Sequence, residues 1–119
     1  MIQGEGFTLD ESKFDFFFGR VTSDSHNTNR SLQNLRDLRR LGIDEAERGR
    51  ERLLQIFQEG LSTPEIDRKE NSYGIIIVRQ TEVISLEASG VIEISYFYRN
   101  GDLNSTPKIT TVIHIITQE

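Results

Sequence analysis

The run Ser25-His26-Asn27-Thr28-Asn29-Arg30-Ser31 gathers an imidazole, amides, hydroxyls and a guanidinium directly ahead of a leucine-patterned segment. A histidine and an arginine four residues apart can between them move a proton and hold a phosphate. That is the minimum equipment for cleaving RNA without a metal ion. The competing reading of the same residues is a polar helix cap, in which Asn27, Thr28 or Asn29 accepts from free amide hydrogens. The chain has 2 histidines, and the second, His114, falls in the last apolar segment. Near-neutral titration there could supply the acid that pairs with a base at His26, although a strand histidine also serves as an ordinary half-buried residue. No His-x-x-x-His pair, carboxylate pair at metal-ligand spacing or glycine-rich phosphate loop is present. The expectation is therefore no metal and no cofactor.

These groups need elements to position them. Leu32, Leu35, Leu38 and Leu41 recur at every third position, with Arg36, Asp37, Arg39 and Arg40 between them. This spacing predicts an amphipathic helix closed by Gly42. A second helix is expected to start at Asp44, with Glu47 completing a capping box, Leu53, Leu54 and Phe57 turned inward, and Gly60 at its end. Residues 7 to 18 hold Phe7, Phe14, Phe16, Phe17 and Phe18, five of the 7 phenylalanines, a density that means core.

Beyond residue 72 the pattern changes to strands. Tyr73 to Arg79, Glu82 to Ala88, Val91 to Tyr98 and Ile109 to Thr117 read as four of them, with turns at Ser89-Gly90 and Asn100-Gly101. Strict alternation would set Ile109, Thr111, Ile113 and Ile115 toward the core beside Ile92, Ile94, Tyr96 and Tyr98. It would turn Thr110, Val112, His114 and Ile116 to a second, more polar face with Glu93, Ser95 and Phe97. The expected class is α+β, an N-terminal helical hairpin packed on a four-stranded antiparallel meander sheet. One domain over 1–119 is expected, with a helical region over residues 1–60, a linker over 61–72 and a β-meander over 73–119.

Composition narrows the function. With 0 cysteines there is no disulfide framework, thiolate zinc site or cysteine nucleophile. No basic-then-apolar leader and no bilayer-length apolar run occurs, so the chain as it stands reads as cytoplasmic and not membrane-bound. A formal charge of −5 argues against nucleic-acid binding over the whole surface. Its distribution is uneven: residues 20 to 52 carry eight arginines and no lysine against six acids, so one face can be locally positive. An ion-paired, solvated helix face is the alternative reading of the same arginines.

The stretch Phe18-Gly19-Arg20-Val21-Thr22-Ser23-Asp24-Ser25-His26-Asn27-Thr28-Asn29-Arg30-Ser31, continuing to Leu41-Gly42-Ile43, resembles the C-terminal toxin domains of bacterial polymorphic and contact-dependent growth inhibition proteins. Their pattern runs Phe-Gly-Lys or Arg, small polar residues, His-Asn, two residues, Arg-Ser, and a leucine helix ending in Ile-Gly or Leu-Gly. The likeness covers residues 16 to 60 and reaches the sheet through Ile109-Thr110-Thr111-Val112-Ile113. It implies the fold shared by barnase, EndoU, colicin nucleases and RelE. It also implies a metal-independent endoribonuclease acting on RNA, tRNA included, with a cognate immunity protein as partner. Carried over by residue, it makes His26 the general base or acid and Arg30 the phosphate clamp. Ser31 and Thr22 become hydroxyls near the scissile phosphate, Arg20 and Asn27 substrate contacts, and Thr110 or Thr111 a contribution from the last strand. The alternative is a catalytically inactive, toxin-like protein-binding module.

Overall fold

The leucine-spaced segment does form a helix in the computed structural model, which describes residues 1–118, but that helix begins earlier than its polar flank suggests. Two short strands, β1 (Ile2–Gln3) and β2 (Thr8–Leu9), precede a short helix α1 (Ser12–Phe17) and the long α2 (Ser25–Arg40). Asp24 caps α2, its carboxylate accepting from the Asn27 backbone N–H at 2.8 Å and from the Asn27 side-chain amide at 2.9 Å. The cap expected at residues 27 to 29 is thus corrected by about one turn, because the aspartate outcompetes the neutral amides for the free N–H groups at the positive helix end.

The second expected helix is split. Asp44 caps a 3-10 turn over Glu45–Glu47, accepting from Ala46 N–H at 3.0 Å, and Arg48 then takes a left-handed conformation at φ 66°. Helix α3 runs from Gly49 to Gly60. Gly49 is required where the chain turns back on itself: its N–H donates to the Asp44 carbonyl at 2.7 Å, and a Cβ there would lie 2.5 Å from the Asp44 backbone carbon. The capping-box reading failed because that close approach interrupts the helix.

Four long strands follow, β3 (Glu65–Asn71), β4 (Gly74–Ile84), β5 (Ser89–Arg99) and β6 (Lys108–Gln118), giving a six-stranded sheet ordered β1-β2-β6-β5-β4-β3. The class is α+β as expected, and β3 to β6 do form an antiparallel meander. Four corrections apply. The sheet has six strands and is mixed, since β2 pairs parallel with β6. The expected linker 61–72 contains β3, all of whose residues are exposed, so it lacks the apolar alternation that signals a strand. The two strands expected on either side of Arg79-Gln80-Thr81-Glu82 are one, β4. Its turn lies at residues 85 to 88, held by the Ser85 hydroxyl, and not at Ser89-Gly90. Asn100 and Gly101, at φ 57° and 69°, make the left-handed turn that their types demand.

The face assignment of the last strand is also corrected. Register skips a residue between Ser95 and Tyr96: Ile109 pairs with Tyr96 but Thr111 pairs with Ser95, leaving Thr110 unmatched in a β-bulge. After the bulge the alternation reverses. Ile109 is buried, then Val112, His114 and Ile116 face the helices, while Thr111, Ile113 and Ile115 face outward.

The helices cover one face of the sheet with a single buried cluster built from Phe7, Phe14, Phe17, Leu38, Leu53, Ile56, Phe57, Ile92, Ile94, Tyr96 and Ile109. Four of the five early phenylalanines are core, as their density implies, while Phe16 is only partly buried; Phe7 meets Phe57 edge-on with ring centres 6.0 Å apart. Among the described residues, no helix is long and apolar enough to cross a membrane.

At the centre of the packing, Tyr96 passes beneath the end of α3 and its hydroxyl donates to the Phe57 carbonyl at 2.5 Å. Burial pushes this phenol above its ordinary pKa, so it stays a donor at all working pH. The contact is close enough that a Cβ on Gly60 would sit 2.4 Å from that oxygen. Tyr96→Phe should lower stability by about 1–2 kcal/mol in urea unfolding with an unchanged circular dichroism spectrum. A cost near zero would mean the buried carbonyl has another donor.

Candidate active site

Arg30 is where the sequence reading and the geometry meet. It sits on the exposed side of α2 above the Phe16 ring, 5.7 Å from its centre, and makes no ion pair among the described residues. It borders a hollow of about 550 Å³ between α1, α2 and the start of β6. Lys13, Asp10, Ser12 and Asp15 supply one wall, and Thr110 and Thr111 at the bulge supply the other. The wall is tied across the fold: Lys13 Nζ donates at 2.8 Å to the carbonyl of Thr110, the residue unmatched at the bulge.

The charges around the hollow are not equivalent. Asp15 is engaged by Arg20 at 2.8 Å, and Asp10 accepts from Ser12 backbone N–H at 3.0 Å and hydroxyl at 2.9 Å. Those hydrogen bonds, the backbone one first, hold the Asp10 carboxyl below its ordinary pKa. Arg30 keeps its planar donor fork free, and a Lys13 ammonium has donors beyond the one it spends on Thr110. Two cations and several hydroxyls therefore line a common space, in which Asp15 is paired with Arg20 and Asp10 remains a carboxylate held by Ser12. Such a hollow suits a phosphate or another oxyanion.

The other predicted residues divide clearly. His26 is exposed in the first turn of α2, one turn ahead of Arg30 on the same helix face, and flanks the hollow without lining it. Asn27 is occupied with Asp24. Thr22 is exposed in the loop before α2. Arg20 holds Asp15 and Glu45 together, tying α1 to the turn before α3; both carboxylates, Glu45 first, keep it firmly charged. Ser31 is fully buried: its hydroxyl donates to the Phe16 carbonyl at 2.8 Å and receives the Val21 N–H at 3.4 Å. It fastens the end of α1 to α2 and lies inside the protein.

His114 sits on the opposite side of β6 from the one read from alternation. Its ring lies edge-on to Phe17 at 5.9 Å under the helices, and both ring nitrogens are buried without a hydrogen-bond partner among the described residues. Burial lowers its pKa from 6.5 to about 4, against a weaker upward pull from Asp37. Sequence reasoning missed Lys13, whose approach to residue 110 depends on a bulge that no local pattern announces. Among the described residues no cluster of three or more His, Asp or Glu is arranged to hold a metal ion.

No family model matches the chain, and no curated protein does. Among solved structures, the chain is similar to a chain of the contact-dependent growth inhibition toxin–immunity protein complex from Klebsiella pneumoniae 342. The TM-score is 0.72 at 24% identity over 90% of this chain and 98% of that one. The two share a fold.

The buried imidazole has a consequence for acid stability. Its folded pKa lies below its unfolded one, so the unfolded chain binds a proton that the folded chain refuses. The stability is intact above pH 6.5 and falls as pH drops toward 4. The loss approaches roughly 3 kcal/mol at the low end. His114→Leu should flatten this acid limb of the curve in denaturant titrations at stepped pH; equal acid slopes in both proteins would show the ring to be solvated.

Proposed function

We propose that this chain is a toxin-type ribonuclease domain that cleaves RNA, tRNA included, without a metal ion, at the hollow beside Arg30. The observation that carries the reading is the unpaired Arg30 lining one hollow with Lys13 and the Thr110-Thr111 bulge, with His26 one helical turn away. The shared fold with a chain of a toxin–immunity protein complex supports it.

In this reading a ribose 2′-hydroxyl attacks its own 3′-phosphate. His26 takes the proton, and Arg30 and Lys13 hold the two non-bridging oxygens as negative charge accumulates on the phosphorane. Thr110 and Thr111 hydroxyls orient the phosphate. The 5′-oxygen then leaves with a proton, giving a 2′,3′-cyclic phosphate and a 5′-hydroxyl; Lys13 is the proton-bearing group inside the hollow placed to donate it. His114, buried beneath the helices, takes no part. On the outer side of β6, Thr110 also borders a depression with Arg99, Tyr73 and Phe97, and the rings of the last two can stack unpaired bases beyond the cleaved phosphate. A cognate immunity protein would then act by presenting carboxylates to Arg30 and Lys13.

The second reading, an inactive toxin-like module that binds another protein, draws on the apolar outer sheet face, where Ile113 is 47% and Ile84 74% exposed. Incubation with total tRNA in EDTA separates the two. The enzyme reading expects discrete fragments, with His26→Ala slower by about 10²- to 10⁴-fold. Arg30→Ala should be slower by about 10²- to 10³-fold. Arg20→Ala should change melting behaviour more than the rate of the folded protein. Intact tRNA across pH 5 to 8 would overturn the enzyme reading.

A further inference from the structure

Two exposed strand edges, that of β3 and that of β6 beyond its short pairing with β2, differ in kind. β3 is blunted by Glu65, Asp67, Arg68, Lys69 and Glu70, the usual protection against pairing with another chain. β6 has no such protection. β2 pairs with it only at Lys108 and Ile109, and Lys13 occupies the Thr110 carbonyl, so from Thr111 to Gln118 its strand neighbour is on the β5 side alone. No charged residue occurs between Lys108 and Glu119, and Ile113 and Ile115 are 47% and 39% exposed. An uncharged, apolar, unpaired edge is a template for a further strand.

The order of residues along this edge selects the strand that fits. Around His114 the sequence reads nearly the same in both directions: Ile113 and Ile115, Val112 and Ile116, Thr111 and Thr117. Two antiparallel copies centred on this residue would set each of these opposite its counterpart. Isoleucine would meet isoleucine on the outer face and Val112 would meet Ile116 on the inner face, with Thr111 and Thr117, the latter at a second register shift, beyond them at each end. A two-fold contact demands this self-complementarity, because residue i must meet j while j meets i. We propose that two copies of this chain pair antiparallel along β6 about a two-fold axis at His114, joining their sheets into one.

Charge favours a second copy over the alternatives. Chains of net charge −5 repel each other, and this edge lets them meet without setting one charge on another. Pairing β6 with the β3 of a neighbour would instead place five charged residues against an uncharged strand. It would also leave a free edge at each end, which grows into a filament and never closes. The facing Ile113 and Ile115 side chains add cross-strand contacts.

Light scattering after gel filtration, across roughly 1 to 500 µM protein, reads the assembly directly. Wild type should pass from the 13.7 kDa monomer to twice that mass as concentration rises. The double variant Ile113→Lys, Ile115→Lys, altered only at outward positions, should dissociate at least ~100-fold more readily with unchanged circular dichroism. Register is tested by cysteines, since the chain has none of its own. An oxidised mixture of Ile113→Cys and Ile115→Cys proteins should cross-link between the two variants in preference to within either. A wild type that stays monomeric at the highest concentration, forms open-ended aggregates, or keeps its dimer in the lysine variant overturns the proposal. A monomer that pairs only with a strand from another protein does so as well. None of these outcomes depends on cleavage of RNA.

Discussion

One extra residue in the last strand organises most of what is distinctive in this molecule. The bulge at Thr110 lets β6 begin with Ile109 in the core and continue with Val112, His114 and Ile116 in the core, which strict alternation forbids. The unmatched Thr110 carries the carbonyl that Lys13 reaches, which ties α1 to the sheet. The bulge also turns Thr111, Ile113 and Ile115 outward, so that one wall of the hollow and the exposed apolar edge have the same local cause. Bulges of this kind re-aim side chains beside functional sites and at sheet margins, and this one does both.

The helical layer holds its side of the hollow by polar ties as well as by packing. The buried Ser31 hydroxyl joins the end of α1 to α2, and Arg20 bridges Asp15 to Glu45. Arg50, stacked 4.4 Å over Phe14 and paired with Glu11, pins the start of α1 to α3. Several arginines that give the segment its basic look are therefore structural cations with carboxylate partners, and surface pairs of this sort contribute little stability each. What they do is hold Asp15, Glu45 and Glu11 in pairs that do not involve Arg30.

Much of this was legible in the sequence, and the failures have physical causes. The leucine helix, the phenylalanine core, the α+β order and the Asn100-Gly101 turn follow from periodicity and backbone preference, which act over a few residues. β3 was hidden because its residues carry charge on both faces. The capping box at Asp44 was read as a helix start because nothing in Glu45-Ala46-Glu47 reveals the crossing that makes Gly49 necessary. The polar heptad from Ser25 mixes roles that residue type cannot separate: Ser31 is interior, Asn27 donates to the Asp24 cap, and Arg30 faces open space. The orientation of His114 could not be read at all, since a slip of one residue reverses every side chain beyond it.

The Lys13–Thr110 contact joins positions 97 residues apart, and beside it β2 pairs with β6 across almost the whole chain. Closing so long a loop costs entropy that is returned only when the flanking sheet and helices already exist. The hollow consequently exists only where the flanking sheet and helices are in place. A nascent or partly unravelled chain can carry every one of its side chains and still present no pocket, so any activity housed there is tied to completion of the fold.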